Sequence, residues 1–283
     1  MSTLQPDGRA VPDGWTDGQA SGPPGGLGVV VVMPTFDEAT TLPTTLARLR
    51  AAVPEAHVLV VDDNSPDGTG RIADALAADD PRVDVLHRQG KEGLGSAYVA
   101  GFRWALGREA RVVVEMDADG SHQPEELPAL LAALDGPAGP DLVIGSRWVP
   151  GGRVVHWPRH REVLSRAGNT YTRLALGMPV RDATAGFRAY RAPVLAALPL
   201  GEVASQGYCF QVDLAWRVVQ AGGTVLEVPI TFVERTEGHS KMSRAIVREA
   251  LVRVTLWGLT HRSRALAAAV RRIGAGARVR PRT

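Results

Sequence analysis

Residues 29–38 read VVVVMPTFDE, five apolar residues followed by a polar turn. A continuous apolar run predicts a strand that is buried on both faces, as in a parallel sheet covered by helices. Leucines then recur at helical spacing at positions 42, 46 and 49, with Thr40 or Thr41 as the N-cap and Pro43 in the first turn. The stretch therefore predicts a strand, a turn and a helix, which together form the repeating unit of an α/β fold.

The same unit recurs along the first half of the chain. Four β–α pairs in succession predict a doubly wound α/β layer with right-handed crossovers. After Ser146 the pattern loosens, and residues 146–162, rich in Arg, Gly and Trp, are predicted to form a functional loop. The other predicted strands are 57–61, 82–87, 111–116, 141–144, 185–191 and 224–233, and the other predicted helices are 69–78, 94–106, 124–134, 162–176, 210–220 and 243–261.

The composition excludes several classes of protein. Of 283 residues, 45% are hydrophobic and 22% are charged, as in a globular chain with a buried core. No apolar run approaches the roughly 18 residues of a spanning helix, no signal peptide pattern is present, and the one cysteine cannot form an internal disulfide. These features predict a cytoplasmic protein. We expect a disordered Gly/Pro-rich leader over 1–28, one domain over 29–262 and a basic tail over 263–283.

Charge is unevenly distributed along the chain. Residues 250–283 carry eight arginines and no acidic residue, whereas the first 249 residues hold 24 Lys and Arg against 30 Asp and Glu. A mildly acidic body with a basic tail is typical of a protein that contacts anionic lipid or nucleic acid. The alternative is an arginine-rich tail that is simply solvated.

Acidic residues follow three of the predicted strands, the first of them at Asp37-Glu38, and open α/β sheets bind ligands beyond the carboxyl ends of their strands. Asp62-Asp63 follows the second strand and Asp117-Ala118-Asp119 follows the fourth. Converging carboxylates repel one another unless a cation is present, and carboxylates from one strand end suit a hard divalent ion completed by phosphate and water. The pattern therefore predicts a Mg²⁺ or Mn²⁺ site at Asp117 and Asp119.

Residues 68–73, GTGRIA, match the dinucleotide-binding pattern G-x-G-x-x-A. Six residues separate this match from the end of the preceding strand at Val61, and the aspartates among them would repel a pyrophosphate. A turn at Asp67-Gly68 with a Thr69 cap is the favoured interpretation.

Two basic elements suit phosphate. Lys91 lies in a glycine-rich turn that opens a helix, while Arg235 and Lys241 belong to a loop after the last strand. A forked guanidinium and a point-like ammonium group are able to clamp a diphosphate. Solvated surface loops are the alternative for both elements. His122 is either a base or ligand, or a histidine that is only hydrogen-bonded.

Taken in order, these motifs resemble the polyprenol-phosphate (dolichol-phosphate) mannose synthases, which are inverting family 2 glycosyltransferases. The resemblance covers about residues 29–262 and is most specific in S-P-D-G-T at 65–69 and R-x-x-G-x-S-K at 235–241. It implies a GT-A type doubly wound nucleotide-diphospho-sugar transferase fold with a mostly parallel mixed sheet. The remaining matching segments are 33–38, 60–64, 91–98, 116–119, 145–147 and 184–188.

The resemblance also implies a nucleotide-sugar site. Asp117, Ala118 and Asp119 would face the sugar nucleotide and the metal, with Asp119 as the more direct metal ligand. Ser121 stands where some relatives have glutamine, so no side-chain metal ligand is expected there. Phe36 replaces a more common tyrosine, which removes a hydroxyl contact and keeps stacking. The residues implied to line the pocket for guanine and ribose are Pro34, Phe36, Glu38, Val61 and Asp63.

Basic residues complete the implied site. Arg147, Arg235 and Lys241 would hold phosphates, with Lys91 also in the nucleotide-sugar site. Asp117, Asp119 and Arg147 form the implied catalytic set. Ser165 and Arg166 resemble the region that binds the phosphate of the acceptor.

The implied reaction is the inverting transfer of mannose from GDP-mannose to a polyprenyl monophosphate, which supplies a β-linked mannosyl phosphate for later mannosylation of protein or glycolipid. The second pKa of such a phosphate lies near 6, so a nucleophilic oxygen exists at pH 7 without a protein base. A polyprenyl-phosphate glucosyltransferase that uses UDP-glucose is the nearest alternative. A basic-tailed membrane or nucleic-acid binding module is another, but it leaves the aspartates unused, so nucleic acid is not an expected partner.

The acceptor of such a reaction lies in a bilayer, so contact with a membrane surface is expected. The helix predicted over 243–261 and the arginine tail suit anionic headgroups. Related enzymes carry a transmembrane part or rely on a membrane partner. We therefore expect a protein that is peripheral on the inner face of the plasma membrane, with an integral-membrane partner protein.

Overall fold

A computed structural model describes residues 27–135, 139–203, 208–235, 251–260 and 262–263. Short 3₁₀ turns lie at Pro124–Glu126 and Leu200–Glu202, and residues 251–260 are helical. The strands are β1 (Val29–Thr35), β2 (His57–Asp62), β3 (Val83–His87), β4 (Val112–Glu115), β5 (Leu142–Ser146), β6 (Arg153–Val155), β7 (Arg188–Arg191), β8 (Val225–Pro229) and β9 (Thr231–Val233). The helices are α1 (Leu42–Ala52), α2 (Thr69–Asp79), α3 (Leu94–Gly107), α4 (Leu127–Leu134), α5 (Arg159–Leu176), α6 (Ala192–Ala197) and α7 (Tyr208–Gln220).

A seven-stranded sheet organises the fold, in the order β3-β2-β1-β4-β7-β5-β8. β7 runs antiparallel to both of its neighbours, and every other pair in this sheet is parallel. A second sheet pairs β6 with β9 in parallel. The prediction of a doubly wound α/β fold with a mostly parallel mixed sheet is confirmed.

Helices cover both faces of the sheet, as the apolar run at residues 29–33 predicts. Val30 and Val32 pack with Phe102 of α3 on one face. Val31 and Met33 pack with Leu42 of α1 on the other. Because alternate side chains of β1 enter different clusters, the strand is buried from both sides and its register is fixed.

The predicted turn at Asp67-Gly68 is confirmed, while its cap differs from the prediction. Gly68 has a φ of +92°, which favours glycine, and the Asp67 carboxylate accepts hydrogen bonds from the backbone N–H (3.0 Å) and the hydroxyl (2.6 Å) of Thr69. A Cβ on Gly70 would lie 2.9 Å from Oδ2 of Asp62. Both glycines of the G-x-G match therefore serve the turn and its packing.

The second half departs from the predictions in three places. The strand predicted over 224–233 is two strands in two sheets, because the chain leaves the main sheet after Pro229. The loop predicted over 146–162 contains β6 and the start of α5, and α6 was not predicted. Of the helix predicted over 243–261, only 251–260 are described. Residues 1–26, most of the predicted tail and Lys241 lie outside the described residues, and the domain boundaries stay a prediction.

Candidate active site

The carboxyl ends of β1 and β2 meet in a hydrogen-bonded turn. The Asp62 carboxylate accepts hydrogen bonds from the Thr35 hydroxyl (3.1 Å), the Ser65 backbone N–H (3.1 Å) and the Ser65 hydroxyl (2.6 Å). With these partners Asp62 shapes the turn between β2 and α2.

Asp63, predicted to line the nucleotide pocket, is buried in an ion pair with Arg88 at 2.5 Å. Arg88 also donates to Glu92 (2.7 Å) and to the Ser96 hydroxyl (2.5 Å). Burial raises the pKa of Asp63 above its ordinary value, although the Arg88 charge opposes this effect. Arg88 therefore ties the end of β2 to the start of α3, a role that sequence reasoning missed.

Two other residues predicted for the nucleotide site lie face to face. The Lys91 ammonium group lies 3.8 Å from the centroid of the Phe36 ring, a cation–π contact. Pro34 and Val61 are register partners on β1 and β2, so they lie side by side at the same strand ends. The backbone N–H of Glu38 donates to the Thr69 hydroxyl at 3.0 Å. The structure thus brings the predicted lining residues to one edge of the sheet.

Asp117 lies just beyond β4 and is held from two sides. The Tyr98 hydroxyl donates to Oδ1 of Asp117 at 3.0 Å, and the Asp117 backbone N–H donates to Nδ1 of His122 at 3.1 Å. Burial and then the Asp117 charge raise the pKa of Tyr98 well above its ordinary value, so the phenol stays a donor. Tyr98 lies in the segment 91–98 that carries the resemblance, although no role was predicted for it.

His122 is a hydrogen-bonded residue in an aromatic setting. Its ring stacks on Phe187, with centroids 5.2 Å apart, and meets the edge of Phe232 at 5.5 Å. Since Nδ1 accepts the backbone N–H of Asp117, the hydrogen-bond network assigns the ring proton of the neutral form to Nε2. His122 is therefore a positioning residue for the loop that carries Asp117.

Asp119 is buried and paired with a cation. Its Oδ2 lies 3.1 Å from Nη2 of Arg235, and its Oδ1 accepts the Ser121 backbone N–H at 3.0 Å. Burial is the largest influence and would raise the pKa of Asp119, but Arg235, Ser121 and His122 together outweigh it and hold the pKa below its ordinary value. The carboxylate is therefore kept ionised. The intervening Ala118 is buried, and its carbonyl accepts the Thr45 hydroxyl at 3.2 Å.

Arg147, predicted to hold a phosphate, is buried in a forked ion pair with Asp182. Its Nε and Nη2 lie 2.7 and 2.6 Å from the two Asp182 oxygens, and its Nη2 also donates to the Thr184 hydroxyl at 2.9 Å. Side-chain exposure is 5% for Arg147 and 0% for Asp182. In this structure the guanidinium binds protein groups, and its predicted role as a phosphate ligand stays a prediction.

Arg188 organises the segment 183–188, which lies against the site. Its guanidinium donates to the carbonyls of Ala183, Ala185 and Gln211, each at 2.7 Å. A Cβ on Gly186 would lie 3.7 Å from Oδ2 of Asp117, so this segment passes close to the carboxylate. Arg188 is a buried, charged residue of the matching segment 184–188, and the sequence did not indicate its role.

The region predicted to bind the acceptor phosphate lies on α5. Arg166 pairs with Glu162 at 2.9 Å, and its guanidinium carbon lies 4.2 Å from the centroid of the Trp148 ring. The Ser165 carbonyl accepts the Asn169 side chain at 3.0 Å. Arg161, also on α5, forms an ion pair with Glu234, next to Arg235. This pair connects α5 to the part of the chain that reaches Asp119.

The donor set suits a small, hard cation. The described part of the chain contains no group of three or more His, Cys, Asp and Glu side chains arranged to hold a metal. Mg²⁺ is usually bound through one or two carboxylates, with phosphates and waters filling the shell. Asp117 and Asp119 supply two carboxylates just beyond β4. The residues present therefore fit such an ion when a phosphate ligand is bound.

Comparisons with known proteins identify the family of this chain. The sequence model of Glycosyl transferase family 2 matches residues 30–198. The chain is 58% identical to the undecaprenyl-phosphate mannosyltransferase of Micrococcus luteus over 83% of this chain and 95% of that protein. It is 56% identical to the polyprenol monophosphomannose synthase of Mycolicibacterium smegmatis over 82% of this chain and 88% of that protein.

A solved structure shares the fold at low sequence identity. Glucosyl-3-phosphoglycerate synthase from Mycobacterium tuberculosis, in complex with Mn²⁺, UDP-glucose and phosphoglyceric acid, superposes with a TM-score of 0.62. It is 20% identical and covers 82% of this chain and 80% of its own. This similarity confirms the GT-A type fold.

Proposed function

The chain belongs to Glycosyl transferase family 2, and from this premise we propose that it transfers mannose from GDP-mannose to a polyprenyl monophosphate. The observation that carries the proposal is the pairing of Asp119 with Arg235 beside Asp117, at the carboxyl end of β4. Two carboxylates two positions apart, one of them paired with a guanidinium, suit a sugar diphosphate with its cation. The names of the mannosyltransferase relatives support the choice of sugar and acceptor.

Asp119 and Asp117 are the residues that we propose to hold Mg²⁺ or Mn²⁺. When bound, the ion supplies positive charge that stabilises a departing diphosphate. Arg235 already lies against Asp119, so it is placed to contact the same phosphates by its remaining donors. Tyr98 and His122 orient Asp117 through its side chain and its backbone, respectively. A geometry fixed before the donor arrives lowers the reorganisation needed for transfer.

We propose that the base and ribose lie at the ends of β1 and β2. Phe36, with Lys91 on its ring, offers a stacking surface, and Asp63 and Glu38 offer carboxylates for hydrogen bonds. Arg147 and Lys241 are proposed as further phosphate ligands. For Arg147 this role requires that a phosphate share the guanidinium with Asp182.

The acceptor phosphate is proposed to bind near Ser165 and Arg166, on α5. A phosphate monoester is already anionic at pH 7, since its second pKa is about 6. Its oxygen attacks the anomeric carbon as the bond to the diphosphate breaks, and attack from the opposite face inverts that carbon. A protein base is not needed, which agrees with the positioning role of His122.

The acceptor must be met at a bilayer surface. Among the described residues no helix is long and apolar enough to cross a membrane. Leu256 and Leu259 of the helical residues 251–260 are 57% and 62% exposed, although Val254 of the same helix is buried. We propose that this helix and the arginine tail contact the cytoplasmic face of the plasma membrane, and that an integral-membrane protein assists.

The test is transfer of radiolabelled mannose from GDP-mannose to a short polyprenyl phosphate, with Mg²⁺ or Mn²⁺ and then with EDTA. We expect metal-dependent labelling of the lipid and a loss of at least about 100-fold in Asp119→Asn. Asp79→Asn is the matched control, because Asp79 is exposed at the far end of α2. Labelling with UDP-glucose as the only effective donor would instead support a polyprenyl-phosphate glucosyltransferase. A chain that neither labels lipid nor binds GDP with Mn²⁺ would contradict the proposal.

A further inference from the structure

A basic pocket of about 160 Å³ lies along α5, apart from the carboxylates beyond β4. Its lining residues are Trp148, Arg166, Thr170, Arg173 and Arg181. Arg166 belongs to the acceptor region of the proposed function, whereas Arg173 and Arg181 have no part in it. Three guanidinium groups and no carboxylate line this pocket, which is the composition expected of a site for an anion.

The two arginines outside the acceptor region, Arg173 and Arg181, have no acidic side-chain partner among the described residues. Arg173 lies seven residues after Arg166 on α5, so two helical turns bring both onto one face. Arg181 follows α5 and is positioned by its backbone N–H, which donates to Glu227 at 2.7 Å. Within the part of the chain that the structure describes, neither the Arg173 nor the Arg181 side chain forms an ion pair. The pocket therefore carries uncompensated positive charge.

Neutral polar side chains lie beside the same pocket. Thr170 is exposed on α5 and offers a hydroxyl. The indole N–H of Trp148 has no hydrogen-bond partner among the described residues. Forked guanidinium groups with neutral donors beside them match the several oxygens of a phosphate group better than they match a single carboxylate.

Apolar side chains border the pocket on the helix itself. Val163 and Leu174 are 66% and 64% exposed, and their separation of eleven residues places them on one line along α5 together with Thr170. The helical residues 251–260 pack beside this line, since the Tyr171 hydroxyl lies 2.6 Å from the Thr255 hydroxyl. Exposed apolar residues next to a phosphate site suit a ligand whose phosphate is joined to acyl chains.

We propose that Arg173 and Arg181, beside Arg166 of the acceptor region, bind the headgroup phosphate of an anionic bilayer lipid. This lipid is distinct from the polyprenyl acceptor, and its binding requires no sugar donor. One bound lipid at this place would fix the orientation of α5 on the bilayer and hold the acceptor region at the membrane surface. The inference is therefore testable without any transfer reaction.

The experiment measures binding of the full chain to vesicles of phosphatidylcholine, with and without phosphatidylglycerol, in the absence of GDP-mannose and polyprenyl phosphate. We expect binding that requires phosphatidylglycerol and that weakens about thirtyfold in the pair Arg173→Gln and Arg181→Gln, since each such charge contributes about 1 kcal/mol at an anionic surface. The matched control is the pair Arg82→Gln and Arg103→Gln, which removes the same charge from residues that do not line the pocket and should change binding less than about threefold. Equal losses of vesicle binding in both pairs of variants would show that this pocket is not the lipid site.

A second pair of substitutions distinguishes a binding site of defined geometry from a general attraction between positive charge and the vesicle. Arg173→Lys with Arg181→Lys keeps both charges and removes both forks, so we expect binding at least about threefold weaker than that of the unaltered chain. Binding equal to the unaltered chain would overturn the inference. Circular dichroism on all pairs checks that they are folded.

Inorganic phosphate distinguishes the source of the ligand. At constant ionic strength, phosphate should release the unaltered chain from the phosphatidylglycerol vesicles. If phosphate binds the unaltered chain in solution, and the Gln pair still binds vesicles normally, the pocket is a site for a free anion and the lipid assignment is wrong.

Discussion

The two halves of the sheet hold their functional loops by different means. β1 and β2 are stabilised mainly by the packing of aliphatic side chains. Val31, Met33 and Val60 are fully buried between sheet and helices. The region around β5 and β7 is stabilised by buried charged residues. There Arg147 is paired with Asp182, and Arg188 is surrounded by three backbone carbonyls.

This difference determines how each half responds to substitution. Apolar burial is non-directional and approximately proportional to area, so a lost methyl group is a graded loss. A buried charge is stable only while its specific partners are present, and removing one partner exposes the full desolvation penalty of the other. The β5 and β7 side of the proposed site therefore depends on a few buried pairs, whereas the β1 and β2 side combines many small apolar contacts with the Asp63–Arg88 pair.

The largest expected effect comes from breaking a pair in the second half. Asp182→Asn removes the charge that compensates Arg147, although both residues stay buried. We expect the free energy of unfolding to fall by about 3–5 kcal/mol, the usual result when one partner of a buried ion pair is lost. Urea denaturation followed by circular dichroism measures this change.

The matched control is an exposed ion pair. Glu125→Gln breaks the pair between Arg48 and Glu125, whose side chains are 35% and 55% exposed, and should cost less than about 1 kcal/mol. A similar loss in Asp182→Asn and in Glu125→Gln would contradict the view that buried charge specifies the second half.

The next prediction concerns Glu115, at the boundary between the halves. Glu115 is fully buried on β4, opposite Arg188 on β7. Burial raises its pKa to about 7, although the Arg188 charge opposes this. A raised pKa means that the fold favours the protonated acid. The stability due to this group is therefore complete below about pH 4.5 and is lost as the pH rises to about 7.

Glu115→Gln replaces the titrating acid by a side chain of nearly the same shape that is neutral at every pH. We expect the variant to match the unaltered chain near pH 4 and to be more stable by about 3 kcal/mol at pH 8, since each pKa unit corresponds to about 1.4 kcal/mol. Denaturation at both pH values measures the difference, and the comparison cancels the other titrating groups. A variant that is less stable at pH 8 would mean that ionised Glu115 is stabilised by Arg188.

The contrast also explains which elements the sequence predicts. β1, β2 and β4 appear as apolar runs because both of their faces are covered, and helices with apolar periodicity follow each one. β6 has one exposed and two half-buried residues, and its pairing with β9 depends on a distant segment, so no local pattern marks it. The antiparallel place of β7 between β4 and β5 is likewise set by tertiary contacts rather than by its four residues.

The candidate site divides in the same way. Asp117 and Asp119 follow a strand, so strand position alone predicts them. Tyr98 reaches Asp117 from α3, and Asp182 meets Arg147 across 35 positions of sequence. Sequence spacing contains no information on which distant arginine meets which carboxylate, so these partners emerge only in the folded chain.

The smallest expected effect tests packing in the first half. A Cβ on Gly101 of α3 would lie 2.3 Å from Cγ1 of Val32 on β1. We expect Gly101→Ala to lower the free energy of unfolding by about 1–3 kcal/mol, because the helix must move away from the strand. Gly107→Ala is the control, since a Cβ on this last residue of α3 meets nothing within 4 Å and should be neutral or slightly stabilising.

A double-mutant cycle decides whether the contact itself is responsible. Val32→Ala alone should be destabilising, since it leaves a cavity in a fully buried cluster. Combined with Gly101→Ala, the new methyl group would enter the space that Val32 leaves, so the losses should sum to less than the two single values. Strict additivity would mean that Gly101→Ala acts through helix propensity or the unfolded chain, and that the close approach of α3 to β1 does not limit the first half.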